Sequence, residues 1–201
     1  MMKIKLAALS CALVLTGCAS TLDVQDTKHN NLVDTNKPIY TLVNLHPDGT
    51  RAKLYSLNYL QGGFIPRCTE VDLLSATTKL MKFTVKDTGQ TYSYYWHKRT
   101  PDFGKNIQKY FGTTCDVLSD KLSDIDKQGI SDGEVGVGMT KEAVIQAIGY
   151  PPVFRTPKLM SNRTWIYWTN RWNTMTVKFN AAGKVSHVNY PESSKGGFHL
   201  F

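Results

Sequence analysis

The chain has 201 residues, of which 41% are hydrophobic, 11% aromatic and 20% charged, and its formal net charge is +8. This composition excludes a collagen, a coiled coil and a wholly disordered chain, and it supplies the apolar area for one or two ordinary globular cores. The one sustained apolar stretch, Leu6 to Leu15, is about half the roughly 20 residues that a membrane-crossing helix needs.

Lys3 and Lys5 precede that stretch and Leu15-Thr16-Gly17-Cys18 follows it, the order of an export signal ending in small residues at a cleavage point. The tetrapeptide resembles the lipobox of bacterial lipoproteins. The resemblance implies a signal peptide over residues 1–17, diacylglycerol on the Cys18 thiol and acylation of the new N-terminus. At about 0.8 kcal/mol per buried methylene, several acyl chains hold a protein on a bilayer permanently, whereas one is marginal. Ala19, in place of an Asp, implies the outer membrane, facing the periplasm. An ordinary secretory signal is the alternative. Loss of Lys3 and Lys5 lowers the formal charge from +8 to +6; the basic residues are scattered, which reads first as a solvated surface and in the alternative as one that suits anionic lipid headgroups, lipopolysaccharide phosphates or acidic protein surfaces. Nucleic acid is not an expected partner of an exported chain.

Of the four cysteines, Cys11 leaves with the signal and Cys18 takes the lipid, so Cys68 and Cys115 remain as an even pair in an oxidising compartment. A disulfide is expected, worth about 4 kcal/mol on the chain-entropy account. Two buried free thiols are the alternative. Neither cysteine stands in a CxxC pair or beside the basic partner that a reactive thiol needs.

Residues 18–38 are rich in Thr, Asp, Asn and Lys without periodicity and read as a mobile, lipidated tether. Residues 39–100 read as β. Runs at Tyr40–Val43, Ala52–Tyr59, Glu70–Leu74, Leu80–Val85 and Thr91–Trp96 are separated by Pro47-Asp48-Gly49, Gly62-Gly63 and Asp87-Thr88-Gly89. In the clearest strand Met81, Phe83 and Val85 alternate with Lys82, Thr84 and Lys86. The expectation is a small antiparallel barrel or roll of SH3-like type.

Residues 101–132 read as a helical connection. Phe103, Ile107, Tyr110 and Phe111 predict one helix stopped by Gly112, and Val117, Leu118, Leu122 and Ile125 predict a second before Gly129. In residues 133–191, Gly138-Met139-Thr140 leads into a helix with Thr140 as N-cap, apolar positions at Ala143, Val144, Ala147 and Ile148, and a stop at Gly149, Pro151 and Pro152. Trp165–Trp168, the alternating Met175, Val177 and Phe179, and Val185–Tyr190 then predict three antiparallel strands, and residues 192–201 form a tail. The overall class is α+β.

The ordered set Gly138-Met139-Thr140, Val144, Gly149-Tyr150-Pro151, Trp165–Trp168, Val177-Lys178-Phe179 and Gly183-Lys184-Val185 resembles the SmpA/OmlA (BamE-like) family of outer-membrane lipoproteins. That resemblance implies short helices on a three-stranded sheet and a place in an envelope assembly. The family's domain usually follows its lipid closely, whereas here about 100 residues intervene.

No catalytic set, metal site or cofactor motif is expected. Asp124, Asp126, Gln128, Gly129 and Asp132 imitate a calcium loop, but Val135 holds the twelfth position where a bidentate Glu is required. His29, His46, His97, His187 and His199 lack zinc-site spacing, and Gly133, Gly136 and Gly138 lack a phosphate-loop lysine. The segment Arg163, Trp165, Tyr167, Trp168, Arg171 and Trp172 is dense in the residue types enriched at binding hot spots. Alternation puts Trp165 and Tyr167 on one face and Ile166 and Trp168 on the other. Either both faces are covered by the helices and the N-terminal barrel, or these residues are the contact for envelope proteins or, alternatively, for peptidoglycan or anionic lipid.

Overall fold

The computed structural model describes residues 20–33, 35–116 and 121–191. The signal segment, Cys18 and the tail 192–201 lie outside the described residues, as do Val117 and Leu118 of the second predicted helix. The class is α+β: among the described residues there are a curled six-stranded sheet, a three-stranded antiparallel sheet and three short helices, of which the last two connect the sheets.

The first sheet contains β1 (Ile39–Thr41), β2 (Lys53–Tyr55), β3 (Glu70–Ala76), β4 (Leu80–Val85), β5 (Thr91–Tyr95) and β6 (Phe111–Gly112), in the order β2-β5-β4-β3-β1-β6. On β4 the predicted alternation is realised: Met81, Phe83 and Val85 are buried, and Lys82 between them is exposed. The expected all-antiparallel roll needs one correction, because β2 joins β5 in parallel, with Tyr55 opposite Tyr95. Only three residues of the predicted Ala52–Tyr59 run form that strand. Ala52 (φ 49°) and Asn58 (φ 54°) adopt left-handed backbone at its two ends, and that conformation cannot continue a strand.

Helix α1 (Phe103–Gln108) begins as predicted, capped by the Asp102 carboxylate, which accepts the Lys105 N–H. It stops earlier than predicted. Phe111 leaves the helix for β6, pairs with Thr41 and is 1% exposed, so apolar burial in the sheet overrides helical spacing there. Helix α2 (Asp124–Asp132) lies further along than the pattern indicated, and it ends in left-handed Gly133 rather than at Gly129. Gly129 is internal for a packing reason: a Cβ there would lie 2.4 Å from the Met139 sulfur and 2.9 Å from the Glu134 carbonyl oxygen.

The acidic run of α2 has a structural role. The Asp126 carboxylate, 1% exposed as a residue, accepts the Ser123 N–H at 3.1 Å and the Ser123 hydroxyl at 2.8 Å. It also accepts the Thr140 N–H at 2.7 Å and the Thr140 hydroxyl at 3.2 Å. Thr140 is itself the N-cap of α3 (Lys141–Ile148), so one carboxylate fastens the first turns of two helices. Burial would raise its pKa, but these hydrogen bonds together outweigh burial and hold it below the usual carboxylate range.

The second sheet is β7 (Thr164–Trp168), β8 (Thr174–Phe179) and β9 (Val185–Asn189), antiparallel in that order. Helix and strands fall where the sequence predicts them.

The tether expectation is corrected over residues 20–33. Thr21 bridges Thr77, the Leu22 N–H donates to the Ala76 carbonyl at 2.9 Å, and Val24 and Leu32 are each 1% exposed in the core of the first sheet. Four apolar residues in a polar run, Leu22, Val24, Leu32 and Val33, are too few to show a period, yet they are enough to dock it. Cys68 and Cys115 are joined, their Cα atoms 5.4 Å apart, so the segment after β6 is tied to the strand-connecting loop before β3.

Asp126→Ala removes both fastenings. We expect a loss of about 1.5–3 kcal/mol in chemical denaturation, since hydrogen bonds to a charged group are broken and a half-buried N–H is orphaned; a change within error would mean that Thr140 and Ser123 cap their helices unaided.

Candidate interaction surface

The C-terminal sheet divides the predicted contact residues into two groups. Trp165 and Tyr167 are 0% exposed. Trp165 packs edge-on against Phe179 at 4.7 Å and donates its Nε1–H to the Leu159 carbonyl at 2.9 Å. Buried Lys141 lies over both rings, at 5.8 and 5.2 Å, and donates to the carbonyls of Met160 and Asn162. Tyr167 donates its hydroxyl to the Gly149 carbonyl at 3.0 Å. The contact role expected for Trp165 and Tyr167 is therefore corrected: they form the core against α3, because alternation on a one-sided sheet sends one aromatic pair inward.

The other group is divided along the strand. Arg163 is exposed, but it sits just before β7, at the far end from Arg171 and Trp172. Half-buried Trp168 is a main-chain partner of the first unit: its carbonyl accepts the Leu60 N–H at 2.8 Å, and it bridges Tyr59. Arg171 and Trp172 occupy the β7–β8 turn, where the Asn170 side-chain oxygen accepts the N–H groups of Trp172 and Asn173. Trp172 is 76% exposed, and the Arg171 guanidinium lies 4.9 Å from the centre of its ring.

The Tyr59 bridge carries this turn onto the edge of the first sheet. Tyr55 packs against Tyr59 at 5.2 Å and against Tyr95 at 5.7 Å, Lys53 lies over Tyr95 at 5.6 Å, and Arg99 lies over half-exposed Phe154 at 4.8 Å. Burial and then Tyr55 raise the Tyr59 pKa, while Arg99 and Arg171 act against them. Sequence reasoning missed Tyr55, Tyr59, Tyr95, Lys53 and Arg99. A signal was present: residues 143–191 contain six Lys and Arg and no Asp or Glu, and residues 49–69 and 88–101 contain no Asp or Glu either. A second exposed apolar set, Phe64, Ile125 and Val137, was also missed.

The joint between the two units is polar. The Asn44 main-chain N–H donates to the Gln146 carbonyl at 2.9 Å, and its side-chain Nδ2 donates to Ile130 at 2.6 Å and Ala147 at 3.2 Å. His46 Nε2 donates to the Ala147 carbonyl at 3.0 Å, which fixes the proton on that nitrogen, because a carbonyl only accepts. Asn58 Nδ2 donates to Ile148 at 2.8 Å and Tyr150 at 3.0 Å. The last carbonyls of α3, which a helix cannot satisfy internally, are thus taken up by the other unit. A crevice along the joint encloses about 20 Å³ and another within the first unit about 10 Å³, room for a water molecule and not for a substrate. A third, of about 730 Å³, is an open depression between Asp48–Arg51 and Gln61–Gly63.

Among the described residues no group of His, Cys, Asp or Glu is placed to hold a metal ion, and no helix is long and apolar enough to cross a membrane. Compared with known proteins, the chain matches no family model, no curated protein and no solved structure.

Burial lowers the His46 pKa below its ordinary value of 6.5, against the hydrogen bond to Ala147, which raises it. The unfolded chain then binds the proton first. Stability is full above about pH 6.5 and falls as the pH drops through that value toward the depressed folded one. We expect the guanidinium midpoint to fall between about pH 7 and about pH 5, and His46→Gln to remove a large part of that slope. His97, lowered by burial and by Arg99 and Lys98, contributes with the same sign and accounts for a remainder. A slope unchanged in His46→Gln would overturn the assignment.

Proposed function

We propose that this chain is a non-enzymatic, lipid-anchored protein of the outer membrane, facing the periplasm and acting as a scaffold or accessory component of a bacterial envelope assembly. On this reading Cys18 carries the lipid, residues 39–100 form an SH3-like roll, and residues 133–191 form a BamE-like, SmpA/OmlA domain that binds protein partners. The observation that carries the contact assignment is Trp172: the most exposed of the large apolar side chains among the described residues, it is stacked under Arg171 on a turn held by Asn170. An aromatic residue rigidly displayed beside a guanidinium is the side-chain pair that contributes most where protein surfaces meet. The joined Cys68 and Cys115 support an oxidising compartment.

A second reading, a binding module for peptidoglycan or anionic lipid headgroups, is favoured by the stretch 143–191, basic and free of acidic residues. It uses the same turn.

Cys18→Ser is expected to move the protein from the membrane to the soluble periplasmic fraction, and retention would count against lipidation. Trp172→Ala is expected to reduce recovery of protein partners from mildly solubilised envelopes by about tenfold, as loss of a hot-spot side chain does, with an unchanged melting curve. Trp165→Ala should instead cost about 3–5 kcal/mol of stability. Equal partner recovery by wild type and Trp172→Ala would remove the turn as the contact.

A further inference from the structure

The docked segment at Thr21 limits how far the body can stand from its anchor. Only three residue steps separate Cys18 from Thr21, a reach of at most about 11 Å. Thr21 is fixed to Thr77, in the turn between β3 and β4. That turn marks one end of the first sheet. The register puts Leu80 beside Tyr95 and Tyr95 beside Tyr55, and the Trp96 N–H donates to the Lys79 carbonyl, so these residues share the end where Thr21 docks. Tyr59 carries the same flank to Arg171 and Trp172.

The charges are distributed unevenly along the sheet. Lys79, Lys98, Arg99 and Arg171 are exposed at this end or on its flank, whereas exposed Asp72 and Asp87 and half-exposed Glu70 lie toward the other end, around Lys86. Three acidic residues lie near the anchor end. Asp26 is buried, and hydrogen bonds from Thr113, Asn30 and Lys28 overcome the effect of burial and hold its pKa well down. Asp102 caps α1 and lies 4.0 Å from Lys105, and Asp23 accepts the Gln25 amide.

We infer that the end of the six-stranded sheet around Thr77 and Lys79, with the flank that bears Arg99, Arg171 and Trp172, rests on the anionic lipid leaflet that carries the Cys18 acyl chains. This inference rests on the proposed anchoring and on the second reading of the β7–β8 turn, in which Arg171 and Trp172 meet lipid headgroups and not a protein partner. The short leash holds that end within reach of the headgroups, the basic side chains meet lipid phosphates, and Trp172 enters the interfacial layer where amphipathic aromatic rings settle. The opposite end of the sheet, with its acidic residues, points into the periplasm.

The test uses the full lipidated chain in vesicles of phosphatidylethanolamine and phosphatidylglycerol with brominated acyl chains. Bromolipid quenching of tryptophan emission is expected for wild type and is expected to fall in Trp172→Phe. It should fall too when a flexible Gly-Ser spacer of about ten residues, with an r.m.s. span of about 18 Å, is inserted between Ala19 and Ser20. Without the lipid, the Cys18→Ser chain should bind phosphatidylglycerol vesicles and not phosphatidylcholine vesicles. Adding K79E, K98E, R99E and R171E should weaken that binding by at least about tenfold, with an unchanged melting curve. An unmodified Cys18 in mass spectrometry overturns the anchoring and the leash with it. A lipidated Cys18 with Trp172 unquenched, or equal binding to both vesicle types, overturns the orientation alone.

Discussion

The end of α3 depends on a polar joint that its own sequence cannot make. A helix leaves its last four carbonyls without internal partners, and burying them unpaired costs on the order of 1–3 kcal/mol each. Here the donors come from residues about a hundred positions earlier: Asn44 and His46 at Ala147, and Asn58 at Ile148 and Tyr150. Asn44 is itself held in place: its main-chain N–H and Nδ2 reach Gln146, Ile130 and Ala147, while its Oδ1 accepts the Arg67 N–H of the first unit at 2.8 Å. A joint of this kind is directional. Apolar faces can slide, but a set of amide donors aimed at consecutive carbonyls satisfies only one arrangement.

Two apolar clusters therefore behave as one folded body. One lies under the six-stranded sheet and the other between α3 and the three-stranded sheet, and Ile145 packs against both. The Tyr59–Trp168 bridge and the Leu60 N–H extend the joint along the β7 edge. Gly149 shows how tight the contact is. A Cβ there would come within 2.9 Å of the Asn58 amide nitrogen and 3.1 Å of the Tyr110 ring, and the residue holds φ at 75°. Glycine is needed twice over, by the backbone conformation and by the neighbour.

Local signals made the C-terminal half legible. Thr140 as N-cap, Gly149 as stop and the alternation on β8 each act within a few residues, and each element formed where its signal stood. The strands of the first sheet were legible for the same reason. What was hidden depends on distant partners. The parallel pairing of β2 with β5 is decided by tertiary packing, and the placement of Phe111 in β6 by the core beneath it. The docking of residues 20–33 turned on Val24 and Leu32, which a polar composition concealed. At the candidate site, aromatic density named the turn residues Arg171 and Trp172 together with Trp165 and Tyr167, which the structure buries, since residue type does not say which face of a strand points inward.

The same alternation explains why the exposed tryptophan lies on a turn and not on the strand. A strand covered by a helix on one side and joined at its edge to another unit has committed its inward face to α3 and its main chain to Tyr59 and Leu60. Only the turn residues remain free of that double demand. Asn170 then acts as a brace: by accepting two successive N–H groups it fixes the turn without using either neighbouring side chain. Trp172 is 76% exposed on a backbone that Asn170 already orders, so a surface that covers the ring costs side-chain rotamer entropy without the further cost of ordering the turn.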